Sequence, residues 1–176
     1  MSMHKIAIAL GVLGLGIGAA AFAAEGPHLG EPITEDELAS WDITIMPDGT
    51  GLPAGRGTAA LGEPIFAQKC SLCHGNEGEG GVGPSLTAGP PHATLDGGKT
   101  IANYWPYATT LYDYIRRAMP PNAPGTLADQ EVYALTAYVL YLNELIGEDE
   151  VIDQDTLPEI EMPNRDNFIT RFPDRI

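Results

Sequence analysis

The chain has 176 residues, with 9 lysines or arginines against 24 aspartates or glutamates, so its formal charge is -15 at pH 7. This length allows one domain with appendages. The acidic balance disfavours nucleic acid and anionic membrane surfaces as partners, and it favours a protein partner with a basic surface.

The first 23 residues have the pattern of a secretory signal peptide. Lys5 precedes an apolar run from Ile6 to about Ala20, and Ala21-Phe22-Ala23 supplies the small-x-small cleavage pattern. A retained membrane anchor is the alternative, but the run is short and rich in glycine and alanine, which favours cleavage. No later segment is apolar and long enough to cross a bilayer. We therefore expect residues 1–23 to be removed and the protein to be exported.

Residues 24–56 form a predicted N-terminal extension rich in glycine, proline and acidic residues. Within it, Thr34-x-x-Glu37 is a capping-box pattern that predicts a short helix from about Glu35 to Ser40. We expect the main domain to span residues 57–147 and an acidic tail, interrupted by prolines, to span residues 148–176.

The main domain opens with a predicted helix from Thr58 to Lys69. Gly62 costs this helix about 1 kcal/mol relative to alanine, a cost that a close helix crossing would explain. Pro64 offers an alternative in which the regular helix starts only there.

The helix leads directly into Cys70-x-x-Cys73-His74, the spacing of a c-type haem attachment site. Two thiols at this spacing reach the porphyrin vinyl groups, and the adjacent imidazole falls under the iron as a ligand. A zinc site would need further Cys or His ligands at matching spacing, and these are the only two cysteines. A thioredoxin-like pair would need a βαβ setting. We predict one covalent haem c, which fits attachment in an exported, periplasmic protein.

Residues 75–98 are dense in glycine and proline, which predicts a loop. Pro84 lies a short loop away from His74. Its carbonyl is a candidate acceptor for the Nδ1–H of His74, a bond that would orient the imidazole and raise its basicity as a ligand.

Three further side chains are candidates for contact with the haem propionates. The Trp105 indole and the Tyr104 phenol can donate hydrogen bonds while their rings cover the haem edge, although ordinary core packing is the alternative. Arg117 lies in the last turn of a helix that we expect to be capped by Thr109 or Thr110 and to end near Ala118. A cation there also suits the helix dipole without any ligand.

The strongest helix prediction runs from Asp129 to about Glu144. Apolar residues lie on two of its sides, which indicates a largely buried helix. We expect Gly147 to end it.

The sixth iron ligand decides between electron transfer and small-molecule chemistry. The candidates are Met46, Met119, Met162, His28 and His92. Met119 is favoured because it lies on a proline-stiffened loop between two helices, a placement that holds a thioether still.

With these residues in place, the chain resembles the class I c-type cytochromes. The resemblance rests on the haem motif, on Gly83-Pro84, on Met119-Pro120 and on the helix that begins near Glu131. It implies an all-α fold: a small helical bundle around one covalent haem, with irregular N- and C-terminal extensions. It also implies His74 and Met119 as axial ligands, Pro84 behind the histidine, and a crossing of Gly62 or Phe66 against Tyr138.

More narrowly, the chain is similar to the SoxD-like cytochrome subunits of periplasmic sulfite or sulfur dehydrogenases. The segments that carry this likeness are Trp41-Asp42-Ile43, Pro47 to Pro53, Tyr104 to Thr109, Tyr114 to Pro120 and Met162-Pro163-Asn164-Arg165. Two departures stand out. Ala128 occupies the N-cap where relatives have Ser or Thr, so Thr126 or Asp129 would have to cap instead. Some relatives also carry a second haem domain, whereas this chain has a single haem motif.

The resemblance implies single-electron transfer rather than catalysis by this chain. Electrons would come from a molybdenum dehydrogenase and pass to a downstream cytochrome or oxidase, and nothing in this chain could hold molybdenum. One alternative is a general soluble carrier that serves a respiratory oxidase. The other is a haem peroxidase or ligand sensor with an open iron site.

Overall fold

A computed structural model describes residues 29–87 and 98–169. The predicted signal peptide and the ligand candidates His28 and His92 lie outside these residues. The chain divides into a first compact unit that ends at Asp42 and a second that begins at Ile43.

The described part of the first unit contains one helix, α1 (Glu35–Trp41). Its capping box forms as predicted. The Thr34 hydroxyl accepts from the Glu37 amide at 3.3 Å, and the Glu37 carboxylate accepts from the Thr34 amide at 2.9 Å. Three acidic residues in the first turn also suit the positive end of the helix dipole.

The second unit is built from helices with a single two-stranded ladder among its described residues. The elements in chain order are β1 (Arg56–Gly57), α2 (Ala59–Lys69), α3 (Ser71–His74), α4 (Ile101–Tyr104), α5 (Ala108–Ala118), α6 (Asp129–Leu142) and β2 (Ile152–Asp153). β1 pairs antiparallel with β2, with Arg56 opposite Asp153. Short 3-10 turns follow at Leu157–Glu159 and Arg165–Asn167. The predicted all-α class is confirmed.

Helix α6 is the centre of the core. Every residue from Val132 to Leu140 is buried, as the apolar pattern on both sides of the helix predicted. Helix α2 crosses it at Gly62, where an added Cβ would overlap the carbonyl oxygen of Ala134. One turn away, the Phe66 and Tyr138 rings pack with centroids 5.1 Å apart. The low helix propensity of Gly62 is therefore the cost of a close backbone approach.

The start of α2 agrees with the predicted helix from Thr58 to Lys69, whereas the start of α5 differs from its prediction. The Thr58 side chain caps α2, and regular helix runs through Pro64 rather than starting there. Helix α5 begins after Tyr107 without a side-chain cap, so the prediction of a Thr109 or Thr110 cap is wrong. The Thr109 hydroxyl instead donates to the Pro47 carbonyl at 3.5 Å.

Both ends of α6 also differ. At its start, Ala128 is the N-cap and supplies no side-chain cap, and the Glu131 carboxylate accepts from the Ala128 amide at 2.9 Å, so neither Thr126 nor Asp129 serves as predicted. At its end, Asn143 and not Gly147 stops the helix. The Asn143 carboxamide donates to the Val139 carbonyl at 2.8 Å and to the Leu86 carbonyl at 3.2 Å. The next residue, Glu144, has a left-handed backbone with φ of 59°, and the Leu145 amide donates back to the Leu140 carbonyl at 3.1 Å, which closes the end of the helix.

The C-terminal tail contributes to the core of the second unit. Ile152, Leu157 and Met162 are each at most 2% exposed and belong to the main hydrophobic cluster. Among the residues that the structure describes, no helix combines the length and the apolar character needed to cross a membrane.

Candidate functional site

The motif cysteines lie where α2 passes into α3. Cys70 is the C-cap of α2 and the N-cap of α3, so the turn that follows carries Cys73 and His74. The His74 and Cys73 amides both donate to the Cys70 carbonyl at 3.0 Å, which fixes the three residues in one helical turn. Both thiols are free and partly buried.

The state of the Cys70 thiol argues against a redox-active pair. Burial, opposed in part by the charge of Lys69 and aided by the nearby Cys73, raises the pKa of the Cys70 thiol to about 11. Reactive Cys-x-x-Cys pairs depend on a lowered thiol pKa, because the thiolate is the nucleophile. Among residues 29–87 and 98–169, no three His, Cys, Asp or Glu side chains cluster so that they could hold a metal ion.

The imidazole of His74 is held in one tautomer. Its Nδ1 lies 2.8 Å from the Pro84 carbonyl oxygen, which can only accept, so Nδ1 carries the proton and donates it. In the neutral ring, Nε2 then keeps its lone pair and is available as a metal ligand. The structure thus gives Pro84 the position that the sequence suggested for it.

The loop that carries Pro84 is bound tightly to the motif. The Gly83 amide donates to the Cys73 carbonyl at 2.8 Å, and the Gly80 amide donates to the His74 carbonyl at 2.6 Å. A Cβ on Gly83 would lie 3.1 Å from His74 Cε1 and 3.2 Å from its Nδ1. A methyl group on Gly83 would therefore have to displace the imidazole or the loop by a few tenths of an ångström, a close approach that the sequence did not reveal.

The methionine candidates lie in different environments. Met119 is the C-cap of α5. It is partly buried and packs against the main hydrophobic cluster, as Cys70 and Trp105 also do. Met162 is 2% exposed and sits inside that cluster. A thioether at the border of the core is better placed for a cofactor than one already enclosed by side chains.

The aromatic segment, Tyr104 to Tyr107, makes contacts with several other parts of the chain. The Trp105 ring meets Tyr114 edge-on at 5.5 Å, and the Tyr104 ring meets Phe168 at 5.5 Å. The Lys99 ammonium lies 4.5 Å from the centroid of the Tyr104 ring. Tyr104 and Trp105 are both half-buried.

The tail supplies part of this support. The Asn164 carboxamide is buried and donates to the Tyr104 carbonyl at 2.7 Å. The Arg165 guanidinium lies 5.6 Å from the centroid of the Tyr107 ring. Sequence reasoning singled out Met162-Pro163-Asn164-Arg165 as a cluster but did not connect it to the aromatic segment.

The Arg117 guanidinium is already hydrogen-bonded to other residues of this chain. Its Nε donates to Asp113 at 2.7 Å, one helical turn earlier, and a terminal guanidinium nitrogen donates to the Ile43 carbonyl at 2.9 Å. The neighbouring Arg116 pairs with Asp129 at 3.3 Å. These contacts explain the placement of both arginines by helix and loop packing.

Taken together, these residues fit a covalently held haem. The motif supplies two free thiols and an imidazole whose Nε2 is available as a ligand, all on one turn, and the Met119 thioether and the Trp105 ring pack against the same core cluster as Cys70. Haem c requires this donor set: two sulfurs for the thioethers, one nitrogen for the iron, and an apolar surround.

Comparison with known proteins agrees with this site. Residues 57–139 match the family of cytochrome c oxidase, cbb3-type, subunit III. The chain is 30% identical to a thiosulfate dehydrogenase of Psychrobacter arcticus over 58% of this chain and 34% of that protein. It is 29% identical to a thiosulfate dehydrogenase of Stutzerimonas stutzeri over 56% of this chain and 35% of that protein. The chain therefore spans about a third of the length of these curated relatives.

A solved structure matches more of the chain. The sulfane dehydrogenase SoxCD of Paracoccus pantotrophus contains a chain that superimposes with a TM-score of 0.75 at 38% identity. The match covers 85% of this chain and 74% of the other. An identity of this level over most of both chains, together with the motif geometry, shows that the chain belongs to the class I c-type cytochromes.

Proposed function

We propose that the protein is a periplasmic monohaem cytochrome c that accepts single electrons from a molybdenum-containing sulfite or sulfur dehydrogenase and passes them to another cytochrome or an oxidase. The observation that carries this proposal is the likeness to a chain of SoxCD, because it extends over 85% of the sequence and so beyond the haem-binding region. Likeness to thiosulfate dehydrogenases also favours a role in sulfur-compound oxidation.

In this proposal, different residues attach the haem and ligate its iron. Cys70 and Cys73 would attach it, and His74 would ligate the iron through Nε2, with its ring orientation fixed by Pro84. Met119 would supply the second protein ligand to the iron. Bound haem c would supply a reversible one-electron carrier. Keeping the same histidine and methionine in both oxidation states would keep the reorganisation on electron transfer small, and the sulfur would raise the potential.

Charge complementarity favours a basic docking partner. The chain carries -15, and predicted signal cleavage would remove one lysine and no acidic residue. Steering by such a charge raises association rates by about 10- to 1000-fold and is screened by salt.

The test of this role uses the mature holoprotein. It is used as bait in a periplasmic extract, and captured fractions are assayed for reduction of its haem by sulfite or thiosulfate. Capture of a molybdenum enzyme with substrate-dependent reduction supports the proposal. Reduction only by general respiratory donors would instead identify a carrier that serves an oxidase.

The ionic-strength dependence of reduction separates a diffusing carrier from a fixed subunit. In stopped-flow mixing with a purified sulfite dehydrogenase, the second-order rate constant of a diffusing carrier should fall steeply with salt. Arg116→Glu should disturb that rate more than Asp149→Asn in the tail. A flat salt response would mean that the cytochrome is a permanent haem subunit of its dehydrogenase.

A further inference from the structure

One buried hydroxyl in the described part of the chain has no hydrogen-bond partner. Thr100 precedes α4 and is 5% exposed, and its Oγ1 is the only buried side-chain nitrogen or oxygen among the described residues that lacks a partner. Leaving such a group unpaired is unfavourable, because its hydrogen bonds to water are lost and not replaced. Native proteins rarely accept this cost without a ligand or a function to explain it.

The groups around this hydroxyl are already paired with one another. The Asn103 carboxamide accepts from the Thr100 amide at 2.7 Å through its oxygen and donates to the Gly98 carbonyl at 2.9 Å through its nitrogen. The backbone from Gly98 to Asn103 is thereby fixed, and the Thr100 hydroxyl is the donor left over. The turn is preorganised to present an O–H group.

Thr100 and Trp105 lie at the two ends of the same short helix, as the N-cap and the C-cap of α4. Ile101, the next residue, belongs to the main hydrophobic cluster, and Trp105, which follows α4, packs at the border of that cluster with Cys70 and Met119. The same short helix therefore carries both Thr100 and one of the rings that border the candidate haem site.

The charge nearby suits an anionic acceptor. Lys99 precedes Thr100, and its ammonium lies 4.5 Å from the centroid of the Tyr104 ring. In a chain with only 9 lysines and arginines, a carboxylate would be repelled by most of the surface. A hydroxyl donor beside a lysine offers a carboxylate one charge-assisted hydrogen bond and one favourable charge.

We propose that the Thr100 hydroxyl donates a hydrogen bond to a propionate carboxylate of the haem. This inference rests on the haem attachment proposed above for Cys70, Cys73 and His74. The propionate supplies the partner that the hydroxyl lacks, and the hydroxyl stabilises the ionised form of a carboxylate that is partly removed from water. Thr100 thereby sets the pH at which the propionate titrates, and through it the pH dependence of the haem potential.

The test compares the haem midpoint potential as a function of pH in wild type, Thr100→Val, Thr100→Ala and Thr100→Ser. Removing the donor should raise the propionate pKa, so the pH-dependent part of the curve should move up by about one pH unit in the valine and alanine variants. Thr100→Ser keeps the hydroxyl and should restore the wild-type curve. Two hydroxyl-free variants are used so that poor folding of one does not prevent the measurement.

Thr136→Val is the matched control. Thr136 is fully buried in α6, and its hydroxyl donates to the Val132 carbonyl at 2.7 Å, so its loss should change stability and leave the potential curve unchanged. A curve that is the same in wild type and in either hydroxyl-free variant, with full covalent haem, would overturn the proposal. Haem that acid-acetone extracts from the wild type would show instead that the attachment itself is wrong.

Discussion

The backbone of Gly62 lies directly against the carbonyl of Ala134, so that a methyl group on Gly62 would overlap this carbonyl and crowd the Tyr138 side chain. This contact brings α2 onto α6 and so positions Cys70, the residue that follows α2. The haem motif is therefore held by a backbone-to-backbone approach between two helices that are distant in sequence.

Gly62→Ala is expected to lower the free energy of unfolding by about 1–3 kcal/mol or more, because the overlap is with backbone atoms that cannot rotate away. The gain in helix propensity, of about 1 kcal/mol, cannot offset this. Chemical denaturation of the holoprotein measures the change. Gly147→Ala is the control, since a Cβ there would meet no atom closer than 3.8 Å. Equal stability of the two variants would contradict the crossing.

The sequence predicts well what depends on neighbouring residues. The capping box at Thr34 and Glu37 formed, and the apolar pattern of α6 correctly indicated a buried helix. The predicted end of α6 was wrong because the helix ends at Asn143, where Glu144 takes a left-handed conformation that is uncommon for a glutamate. The Asn143 carboxamide also bonds to the Leu86 carbonyl, 57 residues earlier, and no local pattern reports such a bond.

In the candidate site too, the features that depend on nearby residues were predictable and those that depend on distant residues were not. The motif residues and the proximity of Pro84 to His74 follow from short sequence spacings. The contact of Asn164 with Tyr104 joins residues 60 positions apart, and the crowding of Gly83 against the imidazole depends on how the loop folds back. Only the family resemblance singled out Met162-Pro163-Asn164-Arg165 in the tail, and it did not indicate that this segment bonds to Tyr104.

Asn164→Ala should loosen both the tail and the aromatic segment. The substitution removes the donor to the Tyr104 carbonyl and leaves that carbonyl without this partner, which is expected to cost about 1–3 kcal/mol. The expected signs are a lower melting temperature and faster proteolysis of the holoprotein. Asn167→Ala is the control, because Asn167 is exposed and its side chain donates to Asn164 Oδ1 without bonding to the Tyr104 carbonyl, while its backbone bond to the Asn164 carbonyl is kept in the variant. A larger effect at Asn167 than at Asn164 would refute this role.

Gly83→Ala should act on the iron ligand rather than on the fold. The new methyl group would press on His74 Cε1 and Nδ1 and weaken the hydrogen bond to Pro84. A weaker bond makes the imidazole a poorer electron donor, so the haem potential should rise. Redox titration measures the shift. Val82→Ala, at a neighbouring side chain that is 90% exposed, should leave the potential unchanged. If the potential shifts equally in Gly83→Ala and Val82→Ala, the cause is a change in the loop backbone and not a contact with His74.

The ion pair between Lys69 and Glu131 should make stability depend on acid pH. A hydrogen bond from Lys69, at 2.7 Å, and another from the Ala128 amide lower the pKa of Glu131. Because the folded-state pKa is lowered, the contribution is complete above the unfolded value of about 4.3 and is lost as pH falls through the folded value. The pair is partly exposed, so its contribution is about 0.2–1 kcal/mol.

Glu131→Gln should accordingly reduce stability at neutral pH and have little effect at strongly acid pH. Urea unfolding at a series of pH values measures this difference. Glu161→Gln, at an exposed position in the tail, is the control and should track the wild type. A constant difference between Glu131→Gln and wild type at every pH would mean that charge is not the cause.

Met119→Ala should open the sixth coordination position. Met119 lies at the end of α5, with its amide bonded to the Ile115 carbonyl at 3.1 Å, and its thioether is half-buried at the border of the core. Removing the sulfur should abolish the near-infrared band of methionine-ligated ferric haem and allow carbon monoxide to bind. The potential should fall, because a methionine and histidine pair raises it.

Met162→Ala provides the matched comparison for Met119→Ala. Met162 is 2% exposed within the core, so its truncation should cost about 2–5 kcal/mol of stability while the near-infrared band and the resistance to carbon monoxide are kept. The two variants thus separate loss of a ligand from loss of packing. If Met162→Ala loses the band and Met119→Ala keeps it, the ligand is Met162 and the cofactor lies against the tail. If neither loses the band, the sixth ligand is neither of these two methionines, and if the wild type already binds carbon monoxide, the iron site is open and a peroxidase or sensor function replaces electron transfer.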